Sequence, residues 1–172
     1  MTKLEYTFKT DTLFKILFVQ YPELLKDLIC SLLEIPKANI SQFDITNSEI
    51  PAEAVSEKFC RLDINMIVDG QLITLEIQVR NEGDFPERIL HQWARVYSNA
   101  IESGGDYKKL PRTVIISIID FPLLKCKEFH SEFRPLELIR HEELTDKMPL
   151  HFFELKKLPE PQPSATARRF PS

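Results

Sequence analysis

Two runs of alternating apolar and polar residues, Phe59 to Val68 and Gln71 to Val79, are separated only by Asp69 and Gly70. Period-two alternation is the signature of a β-strand. An Asp-Gly pair favours the two-residue hairpin turn in which both central residues have positive φ. The two runs are therefore expected to form an antiparallel hairpin, and the turn fixes its register. With Val68 opposite Gln71, Asn65 faces Thr74, Asp63 faces Glu76 and Arg61 faces Gln78. Side chains alternate across a strand, so Arg61, Asp63 and Asn65 share one face with Thr74, Glu76, Gln78 and Arg80. The other face, Leu62, Ile64 and Met66 against Leu75, Ile77 and Val79, reads as core.

The polar face carries a chemical tension. Directly opposed residues have Cβ atoms roughly 4.5–5.5 Å apart, and like charges at that separation destabilise the pairing. A raised pKa, a neighbouring arginine or a bound cation must offset the repulsion between Asp63 and Glu76. Two carboxylates with a backbone carbonyl form a hard oxygen site, which suits Mg²⁺ or Mn²⁺. Gln78, on the same face, would then hold a metal-bound water. The alternative is a solvated sheet face with Arg61 or Arg80 neutralising the acids, and spacing leaves both readings open.

The rest of the chain supplies an α/β framework. Thr10 and Asp11 resemble a helix start before Leu13, Phe14, Leu17 and Phe18. Pro22 suits the first turn of a second helix, whose Leu24, Leu25, Leu28, Ile29, Leu32 and Leu33 form one wide stripe ending at Pro36. Phe43 to Ile50 is a further strand. Pro86 to Ser103 reads as an amphipathic helix with Ile89, Trp93, Val96, Tyr97, Ala100 and Ile101 inward and Arg88, Gln92, Arg95 and Asn99 outward, stopped by Gly104. Thr113 to Ile119 is nearly all β-branched, as in a strand buried on both faces. Two more strands are expected near Phe129 to Arg140 and Leu150 to Leu155. The sum is a mixed sheet in one domain over residues 1–157. From Leu158 four prolines fall in fifteen residues, which predicts a disordered tail over 158–172.

Other chemistries find little support. No window reaches the roughly 18 apolar residues of a membrane span, and the mixed N-terminus is not a secretion signal, so a cytoplasmic protein is expected. Cys30, Cys60 and Cys126 are odd in number and lack a CxxC pair, against both a disulfide framework and structural zinc. Each reads as a small buried residue. His91, His130, His141 and His151 include no HExxH pair. With four glycines and no GxSxG, neither a phosphate-cradling loop nor a serine-hydrolase elbow is available. The net charge of −4 weighs against nucleic-acid binding, although basic residues can still gather on one face.

Several segments together carry a resemblance. Lys9-x-Asp11-x-x-Phe14-Lys15-x-x-Phe18, then Leu62-Asp63-Ile64 with Glu76-Ile77-Gln78, then Phe85-x-x-Arg88, Tyr97 and Gly104-x-x-Tyr107-x-x-Leu110 occur in that order. This set resembles the PD-(D/E)XK nuclease superfamily, and within it the recombination-promoting nuclease and transposase family, from Lys9 to about Lys157. The resemblance implies a restriction-endonuclease-like mixed central sheet flanked by helices, with an antiparallel active-site hairpin. It also implies a Mg²⁺- or Mn²⁺-dependent endonuclease acting on DNA, and it is compatible with a homo-oligomer. Carried over, Asp63, Glu76 and the Ile77 carbonyl become metal ligands, and Gln78 takes the place of the superfamily's usual lysine, as is similar in this family. Arg80 or Arg88 would supply the missing charge; the alternative, preferred for Arg80 and level for Arg88, is that each is solvated or paired with Glu82 or Glu87. Asp11 is either an accessory acid or, preferred, a helix N-cap. Tyr107 would touch DNA backbone or, preferred, pack on the fold. Family members often continue into further helices where this chain becomes Pro-rich. A truncated, catalytically inactive module that binds DNA or a protein is therefore the alternative reading.

Overall fold

The computed structural model describes residues 11–47 and 63–158, with side chains from residue 13 onward. Lys9, Thr10, Cys60, Arg61, Leu62, the outer parts of two expected strands and the expected tail from residue 159 lie outside the described residues.

Two helices open the described chain, α1 over Asp11–Gln20 and α2 over Pro22–Leu32, with Pro22 in the first turn of the second. A third, α3, spans Phe85–Ser98. The strands are β1 (Phe43–Ile45), β2 (Ile64–Val68), β3 (Gln71–Gln78), β4 (Thr113–Ile119), β5 (His130–Phe133) and β6 (Leu150–Glu154). Among the described residues they form one mixed sheet in the order β1-β2-β3-β4-β6-β5. The β3–β4 and β4–β6 pairs are parallel and the other three antiparallel.

The Asp69-Gly70 turn forms as its sequence demands, with φ of 46° and 77°, and sets Val68 against Gln71, Asn65 against Thr74 and Ile64 against Leu75. Asp69 adds a second function. Its Oδ1 accepts the backbone N–H groups of Ser41 (3.0 Å) and Gln42 (2.8 Å), tying the turn to the segment leading into β1.

Alternation along β3 divides the molecule into three layers. Ile73, Leu75 and Ile77 join Ile64, Met66, Val114, Ile116 and Ile118 beneath Phe14, Leu25 and Ile29 of α1 and α2. On the opposite face Ile115, Ile119, Leu150 and Phe152 pack beneath Phe85 and Ile89 of α3. β4 is buried throughout because helices cover both of its faces. Trp93 Nε1 donates to the Thr113 carbonyl at 3.0 Å, holding α3 over the start of that strand.

Several expectations need correction. The α2 stripe is narrower than its leucines suggested: Leu24 is exposed while Leu25 and Ile29 are fully buried, because α2 presents only one strip of its surface to the sheet. Val79 is 38% exposed, since β3 ends at Gln78 and nothing covers the next residue. α3 stops at Ser98 rather than Ser103. The Asn99 N–H bonds the Arg95 carbonyl in the last α-turn and the Ala100 N–H bonds the Tyr97 carbonyl in a tightened closing turn, and Ser and Asn are weak helix formers. The strand expected over Phe129 to Arg140 is only His130–Phe133. Pro135 offers no N–H to a ladder, and the Glu137 carboxylate folds the chain back by accepting the Ile139 and Arg140 N–H groups. Cys126 is exposed rather than buried, beside Lys157 Nζ at 3.6 Å.

Candidate active site

The face of the hairpin that carries the acids is roofed by α3. Thr74, Glu76 and Gln78 are buried although they are the polar half of β3. The ladder with β2 ends at Ile64–Leu75. Asp63 is the next residue, and continuing the register by one pair sets it opposite Glu76. Asn47 fixes this end of the hairpin: its Nδ2 donates to the Asp63 carbonyl and its Oδ1 accepts the Asn65 N–H, both at 2.7 Å. Farther along the same face, Thr74 Oγ1 donates to Asn65 Oδ1 at 2.9 Å, which is the cross-strand pair that the turn register requires.

α3 supplies partners to both carboxylates. Gln92 Nε2 donates to Asp63 Oδ2 at 2.6 Å. Arg88 reaches Glu76 Oε1 at 3.5 Å and Glu82 Oε2 at 3.6 Å, with its guanidinium carbon 5.0 Å from the centre of the Phe85 ring. Glu76 is only 7% exposed, and a buried carboxylate needs a compensating charge or donor. Of the offsets expected from sequence, a neighbouring arginine is present among the described residues: Arg88, beside Glu76. Arg80 is exposed, and its carbonyl accepts Gln78 Nε2 at 2.9 Å. That bond commits one end of the Gln78 amide and leaves Oε1 as its unused acceptor among the described residues.

The structure thus brings Asp63, Glu76, Gln78 and Arg88 to one buried face. Ile77 points its side chain to the other core, as alternation requires. Asp11 begins α1, and its side chain lies outside the described part. Tyr107 is exposed, in a short 3₁₀ turn. Sequence reasoning placed Gln92 on the outer face of α3, where it is in fact 7% exposed and bonded to Asp63. The signal was available. Phe85, Ile89, Gln92 and Val96 follow i, i+4, i+7, i+11, so the apolar stripe runs through Gln92. Asn47 had no such signal, because its position depends on how β1 meets β2.

The donor set fits a hard divalent cation. Among the described residues no three His, Cys, Asp or Glu side chains converge, so a cation at Asp63 and Glu76 would draw its remaining ligands from a carbonyl, water and substrate. Mg²⁺ sites are commonly of that kind, with one or two carboxylates and substrate phosphate oxygens. A polar atom is also left over: Ser117 Oγ, beside Glu76, is buried with no hydrogen-bond partner.

The family model for PD-(D/E)XK nuclease family transposases matches residues 8–170. The chain belongs to that family. Neither a curated protein nor a solved structure matches it. Membership agrees with the α/β architecture, a mixed sheet with helices on both faces and the acidic hairpin near its centre. It makes the protein nuclease-like, of the transposase type. No described helix is long and apolar enough to cross a membrane.

Proposed function

We propose that this PD-(D/E)XK family member is a divalent-metal-dependent DNA endonuclease that hydrolyses phosphodiester bonds. The observation that carries the reading is the buried face on which Asp63, Glu76 and Gln78 meet under α3. Asp63 and Glu76, with the Ile77 carbonyl, hold Mg²⁺ or Mn²⁺. When bound, the cation supplies Lewis acidity and a lowered water pKa. Gln78 is pinned through Nε2 and offers Oε1 to orient the attacking water. It brings no net charge, so a cationic group must come from elsewhere. Arg88 is a source described at this site, already desolvated and adjoining Glu76. Its guanidinium would supply the positive charge that a phosphate in this site requires. Asp11, at the start of α1, is retained as an accessory acid to be tested.

The test is plasmid cleavage with Mg²⁺ or Mn²⁺ by the wild type, Asp63→Ala and Glu76→Ala. Cleavage by the wild type and loss of about 10³-fold or more in each variant is the expected result, in the range seen when charge stabilisation at a reacting centre is removed. Unchanged cleavage by Asp63→Ala sinks the assignment. A folded wild type that binds DNA without metal and cuts nothing would make the protein an inactive binding module, a reading that its net charge of −4 and its lack of the usual lysine keep in play.

A further inference from the structure

Ser117 lies in the middle of β4, and its side chain is 0% exposed. In the parallel β3–β4 pair it is the register partner of Glu76, so the two side chains rise from the same face at the strand spacing of about 4.8 Å. Its flanking neighbours on that face, Ile115 and Ile119, belong to the core beneath α3. Among the described residues the Ser117 hydroxyl has no hydrogen-bond partner, and the same is true of Arg88 Nε. Among the described residues only one other buried side-chain atom is in this position, His151 Nε2. Two of the three therefore belong to residues adjoining Glu76. Burying a hydroxyl without a partner destabilises a fold, and alanine would fill the position without that cost. An unspent donor beside a metal-ligand carboxylate is what a ligand-orienting hydrogen bond requires.

We propose that Ser117 is a positioning residue for Glu76, its hydroxyl donating to one carboxylate oxygen when a divalent cation holds the other. Arg88 contacts Glu76 at 3.5 Å. Ser117 is a donor adjacent to that carboxylate on the neighbouring strand. This inference rests on the reading of Glu76 as a metal ligand.

Mn²⁺ binding followed by electron paramagnetic resonance separates the two claims, with thermal melting of the metal-free protein run in parallel on wild type, Ser117→Ala, Ser117→Cys and Glu76→Ala. Ser117→Ala is expected to melt at or a few degrees above the wild type, because an unsatisfied group is gone. Its Mn²⁺ affinity is expected to fall about tenfold, at the lower end for outer-shell partners of a metal ligand. Ser117→Cys, which keeps the size with a weaker donor, should fall between. Wild-type affinity in Ser117→Ala, together with lost binding in Glu76→Ala, overturns the Ser117 role and leaves the metal site standing. A lower melting temperature with unchanged Mn²⁺ affinity makes Ser117 a packing residue and also overturns it. No Mn²⁺ binding by the wild type, or full binding by Glu76→Ala, overturns both.

Discussion

Gln92 and Arg88 illustrate how two neighbouring carboxylates are kept in one buried place. Each acid receives a partner from the same helix, a neutral amide at Asp63 and a guanidinium at Glu76. The choice is physically sensible: a second arginine would neutralise the pair and compete with a cation, whereas an amide orients a carboxylate without neutralising it. Replacing Gln92 by leucine keeps much of its volume and removes the 2.6 Å bond. The expected outcome is a 10- to 100-fold loss of Mn²⁺ affinity or cleavage rate, the usual cost of losing a partner that orients a metal ligand. Titration of the variant with Mn²⁺ checks it, and a change below about threefold would remove Gln92 from the site.

The hairpin is the element on which everything else hangs, and its turn can be probed in two separable ways. At Gly70, φ is 77° and a Cβ would meet nothing within 4 Å. Gly70→Ala therefore tests backbone conformation alone and should cost about 1 kcal/mol. Asp69 holds two N–H groups ahead of β1 through one oxygen. Asp69→Ala loses those acceptors and places a residue poorly suited to positive φ, which together should cost about 1–2 kcal/mol. Urea denaturation of both variants reads these values. A neutral Asp69→Ala would show that the turn is not tied to β1 in solution. α3 is the second decisive element, since it converts a polar sheet face into a buried site.

At the scale of the molecule, a marked pH dependence among the described residues comes from the far side of the sheet. His151 is buried in β6, and its Nδ1 meets His130 Nε2 at 3.0 Å. Burial, against the attraction of Glu132 and with the charges of His130, Arg112 and Arg134, depresses its pKa from 6.5 to about 4. Glu132, its direct cross-strand partner, would be raised by burial, but the hydrogen bond from Arg134 brings it below the usual carboxylate range. For His151 the folded pKa lies below the unfolded one, so the unfolded state binds the proton first. Stability is complete above about pH 6.5 and is lost as pH falls from there through about 4. Between pH 7 and 4.5 the wild type should lose on the order of 2 kcal/mol more than His151→Gln. Chemical denaturation across that range decides it, and equal losses in both proteins would show that His151 does not control acid stability.

What the amino-acid sequence determined by itself was local. The Asp-Gly turn, period-two alternation and the β-branched run over Thr113–Ile119 are short-range constraints on φ/ψ and side-chain direction, so hairpin register, strand identity and the shared face of Thr74, Glu76 and Gln78 could be read directly. Weaker local signals failed at boundaries. α3 ended early, and the strand after Phe129 was cut short at Pro135, because closing turns and a folding-back carboxylate outweighed propensity. Tertiary structure alone decided which polar residues were buried. Gln92 lies on the apolar stripe of its helix, but what that stripe would meet was settled only when α3 was laid across the sheet, and the same contact buries Ser117 of β4. Periodicity says which residues share a face. What covers that face depends on contacts between segments distant in the chain, and that cover makes an acidic hairpin into a candidate active site.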